Sequence, residues 1–180
     1  MVTPMLEPIL GDPRPFFDHL ARGMEQQGLP LDLGPMDHVC YRTTSNDQYL
    51  ELRRSLAAAG EVLVEGMIGG RPIVTFRLHQ PLASPFGPVP CLELAAPKPG
   101  KVHHPGLEHG EIVVASLERL LRDYPRVPFD TSSLRQNPPE LTLALPPCQI
   151  KFHLHPLADT IAAEIARNEV VPVPADYFRR

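Results

Sequence analysis

Apolar positions along this chain alternate between a spacing of about 3.6 and a spacing of two, and each switch marks a new element. In residues 13–28, Phe16, Phe17, Leu20 and Met24 fall on one side of a helix, with Leu29 beside them and Gly28 and Pro30 as stop signals. Met36-Asp37-His38-Val39-Cys40-Tyr41-Arg42-Thr43 follows as a strand rich in β-branched and aromatic residues, and Thr44-Ser45-Asn46-Asp47 reads as a helix start. Residues 46–59 are amphipathic, with Tyr49, Leu52, Leu56 and Ala59 at helical spacing and Gly60 closing the run. Residues 61–68 and 72–78 alternate as strands joined by the two-residue turn Gly69-Gly70. After the proline-rich stretch 81–90, residues 91–95 make a fourth strand, and Pro97-Lys98-Pro99-Gly100 ends the unit.

The second half repeats this order. Residues 109–114 predict a strand, 116–123 a short helix opened by Ser116, and 127–130 a short strand. Residues 141–145 and 149–154 predict a hairpin across Pro146-Pro147, and 158–168 a last helix after Pro156. Repetition of one supersecondary unit is the main architectural signal. The expected fold is α+β: two βαβββ modules forming one mixed sheet with flanking helices, plus an N-terminal helix. The divisions are 1–34 for the N-terminal helical appendage, 35–100 for the first module and 101–180 for the second with its C-terminal helix, all in one compact domain.

Composition narrows the function. A length of 180 residues suits one domain or two small packed modules. A net charge of −4 and 6% aromatic residues offer no basic, stacking surface, so no nucleic-acid partner is expected. The 23 prolines stand far above an average of about 5% and read as loop punctuation. No apolar run approaches the roughly 20 residues of a membrane span, and Met1-Val2-Thr3-Pro4-Met5 lacks the charged start of a signal peptide. Cys40, Cys91 and Cys148 are too few for a disulfide framework, so a reduced, cytoplasmic setting is expected.

The chemistry concentrates on the two first strands. His38, Cys40 and Arg42 share one strand face. Glu108-His109 repeats the pattern of Asp37-His38: an acid, a histidine, an apolar strand, then a helix start. Glu93 sits between Leu92 and Leu94 in the last strand of the first module, where a carboxylate is costly unless it is paired or binds a cation. Two imidazoles and a carboxylate around a cavity suit a divalent metal with positions left for water or substrate. Cys40 and Cys91 share these faces and are expected to pack as small apolar groups, with thiolate ligation to zinc as the other reading. Arg42, Arg71 and Arg77 suit either an anionic substrate or sheet-edge salt bridges. His103 and His104 are expected in solvent.

Several segments resemble the YecM-like family of the vicinal oxygen chelate superfamily of glyoxalases, bleomycin-resistance proteins and extradiol dioxygenases. These are the strand 36–43, Gly70-Arg71-Pro72-Ile73, Phe76-Arg77-Leu78-His79-Gln80-Pro81, Leu92-Glu93-Leu94-Ala95-Ala96-Pro97-Lys98-Pro99-Gly100, His109-Gly110-Glu111 and Lys151-Phe152-His153. The resemblance implies a cupped sheet around a divalent metal (Zn, Fe, Mn, Ni or Co) bound by His38, Glu93 and His109. It departs from the superfamily pattern at the fourth ligand position, which falls on or next to Lys151, a cation that does not ligate. Glu111 then becomes the candidate fourth ligand or catalytic base, with His153 or water as other fourth ligands. Arg42, Arg77 and Lys151 become candidate substrate-binding residues. The implied function is a metal-dependent isomerase, lyase or oxidoreductase acting on a small oxygenated molecule, as monomer or homodimer. The alternative is a non-catalytic protein that binds a small ligand in the same cup.

Overall fold

The computed structural model describes residues 6–179; the signal-peptide reading of residues 1–5 lies outside them. Two strands meet antiparallel at the centre of the sheet: β1 (Met36–Arg42) and β5 (Gly106–Val113). On the β1 side lie β4 (Val89–Ala95), β3 (Arg71–Leu82) and β2 (Gly60–Ile68). On the β5 side lie β7 (Cys148–His153) and β6 (Leu141–Leu145). The order β2-β3-β4-β1-β5-β7-β6 makes an open, mixed seven-stranded sheet. Each half repeats the same pairing: β1 runs parallel to β4 as β5 does to β7, and the next pair outward is antiparallel in both.

Helices follow the apolar stripes. Short α1 (Glu7–Leu10), absent from the pattern of apolar positions, precedes α2 (Arg14–Gln26), which buries Phe17, Leu20, Ala21 and Met24. After β1, α3 (Asn46–Leu56) starts where Ser45 accepts the Gln48 backbone N–H. After β5, α4 (Leu117–Asp123) starts where Ser116 accepts that of Arg119. Both caps satisfy a donor that the first helical turn leaves free. The last helix, α5 (Leu157–Ala166), leads into a tail whose Val171 carbonyl accepts the Met67 N–H of β2. Among the described residues no helix is long and apolar enough to cross a membrane.

The side chains sort onto two faces. Met36, Val39, Val74, Phe76, Leu92, Leu94, Ile112, Ile150 and Phe152 join α2, α3 and α4 in one large core. Gly110 lies under this core: a Cβ there would meet the flexible end of the Met36 side chain at 2.8 Å, so a larger residue would require Met36 to shift. The other face carries a small apolar cluster of Cys40, Ile73 and Ala95, together with His38, Glu93, His109 and Glu111. Differences from the expected elements are local. β3 continues to Leu82 and β4 begins at Val89, two residues that pair, which shortens the proline-rich connection. The expected strand 127–130 is a single bridge from Asp130 to Thr142. The Gly69-Gly70 hairpin forms, with both φ positive (57° and 86°) as such a turn requires.

Candidate metal centre

The polar face owes its centre to two matching irregularities. Between β1 and β5 the register skips Asp37 on one strand and Glu108 on the other, so each is an extra, bulged residue. A bulge breaks the alternation that would send neighbouring side chains to opposite faces. Asp37 is thereby brought onto His38, and Glu108 onto His109. Asp37 Oδ2 lies 2.9 Å from His38 Nδ1, and Glu108 Oε2 lies 2.5 Å from His109 Nδ1. A carboxylate only accepts, so both Nδ1 atoms carry the proton and both Nε2 atoms are turned the other way.

Both Nε2 atoms face one oxygen. Glu111 Oε1 is 3.4 Å from His38 Nε2 and 3.4 Å from His109 Nε2. Glu93 Oε2 stands 3.8 Å from His38 Nε2. The register explains the convergence: His38 pairs with Glu111 across the centre, and Cys40 pairs with His109 on one side and Glu93 on the other. His38, Glu93 and Glu111 offer donor atoms within 4.8 Å of one another, as do Cys40, Glu93 and His109. Glu93 belongs to both groups and Glu111 Oε1 approaches both imidazoles, so the four side chains adjoin, although His38, Glu93 and His109 do not themselves form one such group among the described residues. His153, on β7, places Nδ1 3.5 Å from Glu111 Oε2, and its ring meets that of His38 edge-on at 5.7 Å.

The donor set fits a cation. Donors about 2.1 Å from a tetrahedral metal stand about 3.4 Å apart, the spacing between Glu111 Oε1 and each imidazole. Neutral imidazoles would aim lone pairs at a carboxylate oxygen, an arrangement that repels unless something positive lies between. Where no metal lies there, protons on the imidazoles take that part, which is the direction in which their titration is displaced. Burial would lower the pKa of His38, but Glu111, Asp37 and Glu93 raise it well above the ordinary value. His109 is raised by Glu108 and Glu111 against burial. Burial would raise Glu111, but His38 and His109 hold it well below the usual range. Glu108 is lowered to about 2 in spite of burial, through His109 and Arg42.

The remaining candidates occupy distinct surroundings. Arg42 Nε donates to Glu108 Oε2 at 2.8 Å, and Gln149 Nε2 donates to Glu108 Oε1 at 3.0 Å, so Arg42 helps orient the acid behind His109. Asp37 is held likewise by the Leu157 N–H at the start of α5, at 2.7 Å. Lys151 pairs with Glu140 at 3.2 Å and is raised by Glu111 and Glu140 against burial. Arg77 is exposed, beside Cys91 in the register. Burial first, then Glu93, pushes the Cys40 thiol well up, which favours the neutral, packed form. Asp37 and Glu108 are the site residues that strand alternation misses. Their signal was the acid–histidine dipeptide occurring at the head of both halves.

Comparison with known proteins agrees with this geometry. A family model described as "YecM protein" matches residues 6–127, a span holding His38, Glu93, His109 and Glu111. Protein YecM of Escherichia coli (strain K12) is 32% identical over 169 residues, covering 83% of this chain and 89% of its own. A solved structural-genomics structure, protein EC4020, superposes with a TM-score of 0.76 at 27% identity, covering 91% of this chain and 98% of its own. Sequence match, shared length and shared fold together show that the chain belongs to the YecM family.

Proposed function

We propose that this protein is a divalent-metal protein of the vicinal oxygen chelate type and an enzyme acting on a small oxygenated molecule. His38, Glu93 and His109 would hold the metal, with Glu111 as fourth ligand or base. One observation carries this reading: a single carboxylate oxygen equidistant from two imidazole nitrogens, each imidazole fixed from behind by its own acid. The doubled strand order supports the superfamily assignment, since two such units around one cup are its defining architecture.

A metal bound there supplies Lewis acidity toward oxygens of the substrate. The protein's own contribution is positional. Asp37 and Glu108 fix the tautomer and aim of the imidazoles, and Glu111 is a carboxylate that would take a proton at the same centre. Lys151, on the β7 position beside Glu111, and exposed Arg77 flank the open face as substrate-orienting cations. Arg42 acts through Glu108.

The test is metal content. Protein stripped with a chelator and dialysed against one divalent metal at a time is expected to retain one ion per chain for at least one metal. His38→Ala and Glu93→Ala are expected to retain none while remaining folded by circular dichroism. A wild-type chain that retains no metal, or variants that retain it as well as wild type, would overturn the reading.

A further inference from the structure

The three strand arginines part company in the structure. Arg42 is paired with Glu108 and Arg77 is exposed, whereas Arg71, the first residue of β3, is buried to 9% exposure with no carboxylate partner among the described residues. Its Nη1 donates to the Ile68 carbonyl at 3.1 Å, while its Nε is buried and donates to nothing. A guanidinium withdrawn from water without a counter-charge is costly, and its planar fork matches an oxyanion.

Its place on the sheet gives this a direction. Arg71 lies two residues before Ile73, which pairs with Ala95, and Ala95 pairs with Arg42 of β1. Arg71 thus sits on the polar face, two same-face steps along β3 from Thr75, the residue that pairs with Glu93. Arg42, Cys40, Glu93 and Glu108 are the charges that act on it, and burial lowers its pKa before any of them. Lys98 lies near it, and His103 is close enough that, after burial and Arg42, the Arg71 charge acts on it. His103, expected in solvent, instead has a buried Nε2 without a partner. Lys98 Nζ and Arg71 Nη1 both approach Gly69, where a Cβ would lie 3.6 Å and 2.8 Å from them.

We propose that Arg71, flanked by Lys98 and His103, is a subsite for an oxyanion of the substrate, a carboxylate or a phosphate, at the Glu93 end of the metal centre. The substrate class is then a small oxyacid whose anionic group rests on Arg71 while another oxygen reaches the metal. The subsite itself needs no metal; the two-point substrate rests on the metal reading above.

Calorimetric titration of chelator-treated protein with acetate and with inorganic phosphate is expected to show one of the two binding. Arg71→Met should weaken that anion about 10- to 100-fold, the worth of a charge-assisted contact, and Arg119→Met, at the exposed surface of α4, should leave it unchanged. Should Arg71→Met fail to fold, Arg71→Lys keeps the charge without the fork and should show an intermediate loss. Binding of acetate marks a carboxylate substrate and binding of phosphate a phosphorylated one. In metal-loaded protein, glycolate, which adds a hydroxyl to acetate, should bind more tightly than acetate, and the gain should vanish in His38→Ala. No binding by either anion, or binding indifferent to Arg71, would overturn the subsite even if the metal is retained. Arg71-dependent binding in a protein that takes no metal would leave the subsite standing and remove only the two-point substrate.

Discussion

The two halves of the sheet deliver the same chemistry by different routes. Each central strand carries a bulged acid, then a histidine whose Nε2 faces the centre. Beyond that point the halves diverge. The parallel registers place Cys40 beside Glu93 in the first half and Glu111 beside Lys151 in the second. The first half therefore presents its carboxylate from the outer strand, with a small cysteine on the inner one. In the second half the carboxylate has moved to the inner strand, and a lysine takes the outer position. A ligand need not keep its strand so long as the face and the reach are kept, because neighbouring strands stand only about 4.8 Å apart.

The sharpest way to break this comparison is to exchange the arrangements. Glu111→Cys alone removes the carboxylate oxygen that both imidazoles face. Its metal affinity should fall more than the about 10–100-fold typical of losing an outer-sphere partner. Adding Lys151→Glu rebuilds in the second half the Cys-and-Glu pair of the first, and should recover most of the loss. Chelator competition measures both. If the double variant binds no better than the single one, positions 93 and 151 are not equivalent and the repeat is one of shape only.

The outer acids come next in size. Asp37→Asn and Glu108→Gln each loosen one imidazole and should weaken metal binding by about 10–100-fold. The two should differ in stability. Asp37 holds His38 and one backbone N–H, whereas Glu108 holds His109, Gln149 and the guanidinium of Arg42. Glu108→Gln leaves that buried guanidinium uncompensated, a loss of about 3 kcal/mol, and should lower the melting temperature of the metal-free protein where Asp37→Asn does so much less. Equal melting temperatures would show that Arg42 finds another partner.

How much of this was legible in the residues follows from which signals are local. Alternation placed His38, Cys40 and Arg42 on one face, and glycine pairs and serine caps marked turns and helix starts, because each depends on its immediate neighbours. The doubled order of elements gave the mixed sheet. Bulges were invisible: period-two alternation sends Asp37 and Glu108 to the apolar face, and only the pairing between β1 and β5 shows that each is an inserted residue. The same limit hid the fates of the arginines. Arg42, Arg71 and Arg77 look alike along the chain, and only the folded sheet separates them: Arg42 meets Glu108, Arg71 is buried and Arg77 is exposed. The short strand 127–130 failed because its one bridge to Thr142 lies at the sheet's edge, where no further strand holds it in register.

The smallest effect tests whether the halves also share their folding signals. Ser45 and Ser116 each cap the helix that follows a central strand, both at 3.1 Å. Replacing either by alanine should cost about 1 kcal/mol in urea unfolding of the metal-free protein. The two losses should add, since distant sites without shared partners do, and metal affinity should stay unchanged. They should not be quite equal. In the first half Gln48 reaches back to the Thr44 N–H at 2.7 Å and keeps that bond after Ser45→Ala. In the second half Arg119 stands at the corresponding position and turns instead toward Asp123, so Ser116→Ala leaves the start of α4 with no side-chain acceptor at all. The seven-residue α4 should therefore feel its cap more than the eleven-residue α3, and the reverse order would mean that the core contacts of Leu117 and Leu120, rather than the serine, decide where α4 begins.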